Sequence, residues 1–131
     1  MTAHPDVLLG LGRETELPPE FTEEAIALEF ARKHETHLRY VPEWRKWLVW
    51  NGKRWEIDGT NVPLHLCRRI CRETAVRASK VLVGPSTAKI VKALASAHTV
   101  EAVQRLIKAD PRLVATTGQW DLDLFSLNTP V

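Results

Sequence analysis

With 131 residues, 44% of them hydrophobic and 26% charged, the chain has the make-up of one soluble globular domain large enough to bury a core. No apolar run approaches a membrane span, and residues 1–20 do not read as a basic-then-apolar secretory leader, so no membrane partner and a cytoplasmic setting are expected. The net charge of +2 conceals a division: residues 1–38 carry three basic and eight acidic groups, 39–80 carry ten and four, and 81–131 carry five and four.

A basic middle behind an acidic leader suits either a polyanion partner or an ordinary solvated face. Residues 1–20 have no sustained period and end near Pro18-Pro19, so they read as a flexible leader to a domain over 21–131. A helix starts after Thr22, whose hydroxyl is placed to cap, with Glu23 and Glu24 favouring the positive helix end. Phe21 and Ile26 hold staple positions, and Ile26, Ala27, Phe30 and Ala31 form its apolar stripe. His34 and His37 follow without a third metal ligand nearby; two surface histidines at a helix end are the simpler reading.

Residues 38–58 hold four of the five tryptophans, five basic residues and an Asn51-Gly52 turn signal. Asn-Gly between apolar-aromatic runs predicts a two-residue type I′ hairpin, pairing Trp50 with Lys53 and Leu48 with Trp55. Leu48, Trp50, Trp55 and Ile57 would then share a core face. Arg45, Trp47, Val49, Arg54 and Glu56 would share the other, where Trp47 between guanidinium groups suits cation–π packing or stacking on a base. Residues 38–41 add a third strand, broken by Pro42.

A long helix over 62–82 follows, with Leu66, Cys67, Ile70, Cys71, Thr74, Ala75, Ala78, Val81 and Leu82 inward. His65, Arg68, Arg69, Arg72, Glu73, Arg77 and Lys80 fall largely opposite, denser in cations than solubility requires. Two cysteines four apart on the inward face predict buried, reduced, inert thiols in a reducing compartment. A third helix carries Ala88, Ile90, Val91, Leu94 and Ala95 inward. A fourth, capped by Thr99, carries Val100, Val103, Leu106 and Ile107. The pair resembles a helix-turn-helix in outline, yet only Gln104, Arg105 and Lys108 would face a groove, so helical-hairpin packing is preferred. Asp121 and Asp123, two apart near the end, lack an evident third carboxylate for metal chemistry, and no phosphate-binding glycine loop or nucleophile–base pair occurs in the sequence. The fold expected is therefore α+β: about four helices with a small tryptophan-rich antiparallel hairpin or three-stranded sheet.

Two stretches resemble one family. Trp44, Trp47, Trp50, Asn51, Gly52 and Trp55 follow a W-x-x-W-x-x-W-[DN]-G-x-x-W pattern after the Tyr40 strand. Trp120, Asp121, Asp123, Leu127, Asn128, Thr129 and Pro130 follow a W-D-x-D-x-x-x-L-N-T-P ending. Together they are similar to the domain preceding the superfamily-3 helicase in phage and plasmid, poxvirus-type, DNA primase–helicases. The resemblance spans about residues 21–130. It implies a domain of a DNA replication protein that links or positions the helicase and contacts DNA. It implies no catalytic residues and no cofactor here, since ATP and Mg²⁺ belong to the helicase part of a longer parent. In that light Asp121 and Asp123 are turn and capping residues. The resemblance implies that the chain is either a fragment or a truncated gene product.

The reading adopted is non-catalytic DNA contact, with single-stranded DNA and the parent's helicase domain as partners. The residues expected to carry it are Arg45, Trp47 and Arg54 on the hairpin and Arg68, Arg69, Arg72, Arg77 and Lys80 on the long helix. The rival is a protein-interaction or oligomerisation module in which the same basic helix meets an acidic face and supports a helicase ring, with a homo-oligomer as its product.

Overall fold

The computed structural model describes residues 17–118. In chain order the elements are α1 (Glu23–His34), β1 (Leu38–Val41), β2 (Lys46–Trp50), β3 (Trp55–Ile57), α2 (Val62–Val81), α3 (Thr87–Leu94) and α4 (Ala97–Ile107). The three strands form one antiparallel sheet in the order β1-β2-β3, so the described part is the expected α+β fold. The ending 119–131, with Trp120, Asp121 and Asp123, and the leader up to residue 16 lie outside the described residues.

Helix α1 begins as its sequence dictates. Thr22 stands in extended backbone and its side chain accepts the Ala25 N–H at 3.2 Å, which satisfies one free donor of the first turn. Ile26, Ala27, Phe30 and Ala31 are all buried, matching the predicted stripe. Glu23 and Glu24 open the helix, and Arg32, Lys33 and His34 close it, each with the sign the helix dipole favours.

The hairpin register departs from expectation. Trp50 pairs with Trp55 and Leu48 with Ile57, because residues 51–54 form a four-residue connection. Its cause is the Asn51 side chain, whose Oδ1 accepts the N–H groups of Lys53 at 2.8 Å and Arg54 at 2.9 Å. Asn51 N–H donates to the Arg54 carbonyl at 3.0 Å, and Gly52 sits at φ +100° within the loop. A slip of two residues preserves face parity, so Leu48, Trp50, Trp55 and Ile57 still share a face. The slip also brings the Trp50 and Trp55 rings to 5.5 Å.

Both faces of the sheet are nonetheless covered. Leu48 and Trp55 are buried with Val41 and Ala115 in a small cluster, joined by half-buried Trp50, while Ile57 at the strand end is 60% exposed. The opposite face was expected to be open, yet Trp47 and Val49 pack there against the main helical core with fully buried Leu38. Helices α1, α2 and α4 supply most of that core, through Ile26, Phe30, Ile70, Cys71, Val103 and Ile107 among others.

Helix α2 is capped at its start by Asp58 rather than by the residue at the cap position. Asn61 has a left-handed backbone (φ 59°) and its side chain makes no capping bond; Asp58 Oδ1 instead accepts the N–H of Val62 at 3.2 Å. Cys67, Ile70, Cys71, Thr74, Ala75 and Ala78 face inward as predicted, but Val81 is 59% exposed, whereas Leu82 beside it packs on the core. Helix α4 is capped by Ser96, whose Oγ accepts the Thr99 N–H at 3.2 Å. Thr99 is not the cap: it is buried, and its hydroxyl donates to the Ala93 carbonyl at 2.7 Å. Leu106, expected inward, is 37% exposed.

After α4 the chain turns through Asp110 and returns to the sheet. Tyr40 N–H donates to the Leu113 carbonyl at 2.7 Å and Ala115 N–H to the Tyr40 carbonyl at 2.9 Å, a parallel bridge on the open edge of β1. The turn is held by Asp110, whose Oδ2 accepts from Arg112 at 2.9 Å, while Arg112 also donates to the Leu28 carbonyl of α1 at 3.2 Å.

Candidate nucleic-acid interface

The outer face of α2 follows from a helical period laid over a fixed inner face. Because positions 67, 70, 71, 74, 75 and 78 recur at three-four spacing on one buried face, the positions between them turn to the opposite side and face water. His65, Arg68, Arg69, Arg72, Glu73, Arg77 and Lys80 are all exposed there. Residues four apart lie about 6 Å apart along the axis, so Arg68 and Arg72 stand in one row.

These cations are not equivalent. Arg77 reaches Glu29 of α1 at 3.7 Å and lies over the Phe21 ring at 5.6 Å from its centroid, so it serves the α1–α2 contact. Glu73 is joined to Lys33 of α1 at 3.8 Å. Among the described residues, Arg68, Arg69, Arg72 and Lys80 make no salt bridge or hydrogen bond. Arg68 and Arg72 flank a groove of about 400 Å³ whose other walls are Leu64, Ala95, Ala97, Val100 and Glu101. Apolar floor, two guanidinium groups and one carboxylate make it amphipathic rather than purely cationic.

The hairpin residues divide as well. Arg54 is exposed in the 51–54 connection. Arg45 is exposed in the turn between β1 and β2, with a left-handed backbone at φ 52°. Trp47 does not stand between them on an open face. It is half-buried, packs on the main core, and its ring meets Tyr40 at 5.0 Å. The sheet therefore sets Arg45 and Arg54 apart, beyond opposite ends of β2, and turns Trp47 inward. Among the described residues the tryptophan left outward is Trp44, 38% exposed. Its signal was its place after Pro42 and outside any strand.

Other titratable groups are tuned by burial. His34 Nδ1 and His37 Nε2 are 2.9 Å apart, beside the Phe30 ring. Burial lowers the His34 pKa to about 4, with the His37, Lys33 and Arg69 charges pushing the same way. Burial also lowers that of His37. Cys67 and Cys71 are free and buried; burial pushes their thiols up to about 12 and about 11, which removes the thiolate needed for nucleophilic chemistry. Among the described residues no group of three or more His, Cys, Asp or Glu is gathered for a metal, and no helix is long and apolar enough to cross a membrane.

Neither the curated proteins nor the solved structures contain a match to the chain. A family model described as D5 N terminal like does match, over residues 27–130, which takes in most of α1, the whole sheet, the basic helix and the ending beyond residue 118. The chain thus belongs to the D5 N-terminal-like family, the N-terminal domain of D5-type primase–helicase proteins of DNA replication.

Proposed function

We propose that this domain contacts DNA without catalysing a reaction and positions the helicase part of its parent protein on the strand. The observation that carries the reading is the outer face of α2, where Arg68, Arg69, Arg72 and Lys80 are exposed and unpaired among the described residues. Cations in that state neutralise phosphates without reading sequence. Arg45 and Arg54 add charge at the two ends of the hairpin; Arg77, bound to Glu29, contributes least. ATP and Mg²⁺ belong, on this reading, to a superfamily-3 helicase region of a phage or plasmid protein working in a reducing cytoplasm, and the domain itself needs neither.

The test is fluorescence anisotropy of a labelled single-stranded oligonucleotide titrated with the wild-type domain and with Arg68→Gln/Arg72→Gln. Binding by the first, weakened at least tenfold in the second, supports the proposal. Equal binding by both removes α2 from it.

A second reading has its own support. Val76, Val81 and Val83 are 53%, 59% and 95% exposed near the same cations, an apolar component that phosphates do not require. On this reading α2 meets an acidic partner, a second copy or the helicase ring. A concentration-dependent oligomer in sedimentation, together with no DNA affinity, would favour it.

A further inference from the structure

We infer that Trp44, at the tip of the β1–β2 turn, is a stacking residue for an unpaired base, so that the domain takes single-stranded DNA in preference to duplex. The inference rests on the DNA-contact reading and adds to it a second contact point, distinct from α2.

Each of the other described tryptophans has its ring engaged. Trp47 lies against Tyr40 at 5.0 Å and Trp50 against Trp55 at 5.5 Å, while Trp55 is 6% exposed with the Arg39 guanidinium 5.4 Å from its centroid. Among the described residues Trp44 has no ring contact, cation–π contact or hydrogen-bonded indole, and it is 38% exposed. A large aromatic left at the surface gives up the burial that other positions in the domain offer to such a side chain. A flat apolar face open to solvent is what stacking on a base requires.

The turn presents this ring rather than letting it wander. Trp44 N–H donates to the Val41 carbonyl at 3.2 Å and Arg45 N–H to the Pro42 carbonyl at 3.1 Å. Glu43 in the same turn accepts from the Thr117 hydroxyl at 3.2 Å, which fastens the tip to the returning chain. Arg45 holds φ 52°, a region where a branchless glycine would sit with less strain, yet the position carries a guanidinium. Lys46 follows, exposed, and neither cation has an ion-pair partner among the described residues. One aromatic followed directly by two cations suits a base and its flanking phosphates.

The location also fits a strand shared with α2. Asp58 N–H donates to the Trp47 carbonyl at 2.8 Å and Asp58 Oδ1 accepts from Val62, so the sheet is tied here to the start of the basic helix. A duplex offers no free base face to Trp44; a single strand does.

The experiment uses the whole chain and labelled 20-nucleotide oligomers: single-stranded, duplex, and single-stranded with consecutive abasic sites. Trp44→Ala is expected to weaken single-strand binding by about ten- to a hundredfold. Trp44→Phe recovers most of that loss, and duplex affinity stays within about twofold. The wild-type chain alone supplies an independent reading, since replacing the bases by abasic sites should cost it a comparable factor and abolish the difference from Trp44→Ala. Trp44→Ala binding the intact single strand like wild type, or wild type binding abasic and intact strands equally, overturns the inference while leaving the phosphate contacts of α2 standing. Absence of any DNA binding by wild type overturns both.

Discussion

The Lys108 ammonium at the end of α4 lies 5.4 Å from the centre of the Tyr40 ring, whose neighbour at 5.0 Å is Trp47. This row of three side chains joins a helix end to two strands, and the Tyr40 backbone also carries the bridge to residues 113–115. Tyr40→Ala should destabilise the domain by about 2–4 kcal/mol in urea unfolding, from lost burial and ring contact. Tyr40→Phe, which keeps the ring, should cost less than about 1 kcal/mol.

Trp47 and Trp44 should behave oppositely. Trp47→Ala removes a ring packed on the main core and is expected to cost about 2–4 kcal/mol, whereas Trp44→Ala at an exposed turn should cost under about 1 kcal/mol. Urea midpoints of the two variants, measured side by side, check the assignment. Equal losses would contradict the packing of Trp47 on the core and the exposure of Trp44.

The histidine pair predicts an acid-labile corner. His34 and His37 are held neutral in the fold, and the unfolded chain takes up their protons as pH falls below about 6.5. Below that point the unfolded state binds more protons, so stability falls with pH until the folded His34 itself titrates near 4. Unfolding midpoints at pH 7 and pH 4.5 should fall less for His34→Gln than for wild type. Identical falls would remove the pair from the account.

Cys67 and Cys71, with thiols near 12 and 11, should not react with a disulfide reagent in the native domain at pH 8. Both should react within the dead time once urea unfolds it. Fast native labelling of either would contradict their burial.

The cap on α2 supplies a smaller test. Asp58→Ala should lower stability by about 1 kcal/mol, as the loss of a helix-capping carboxylate does. Asn61→Gly should be close to neutral, because the left-handed backbone at Asn61 suits glycine and its side chain does no capping.

What could be read from the sequence was what short range determines. The stripe of Ile26, Ala27, Phe30 and Ala31 and the inward Cys67, Ile70, Cys71, Thr74 and Ala78 repeat at helical spacing, and both helices are where that spacing puts them. The parity of Leu48 and Trp55 survived for the same reason. The register failed because one side chain, Asn51, took the loop's N–H groups and lengthened the turn. Which sheet face the helices cover is decided by packing between distant segments, and so Trp47 could not be told from Trp44 along the chain. The pairing of Tyr40 with Val114 joins segments far apart in sequence and has no local signature at all. Of the candidate site, the exposure of the α2 cations was legible; the commitment of Arg77 to Glu29 and Phe21 was not, since it depends on α1 lying alongside.

Phosphate contact through α2 is tested most directly by the salt dependence of single-stranded DNA binding by the wild-type domain, repeated with Arg68, Arg69, Arg72 and Lys80 changed to glutamine. Four phosphates neutralised on a single strand give a slope of log K against log salt near −3, at about 0.7 per phosphate. The wild-type slope should be at least that steep, and flatter by about 3 in the fourfold variant. A wild-type affinity that does not respond to salt, or a slope unchanged by removing all four charges, would contradict it.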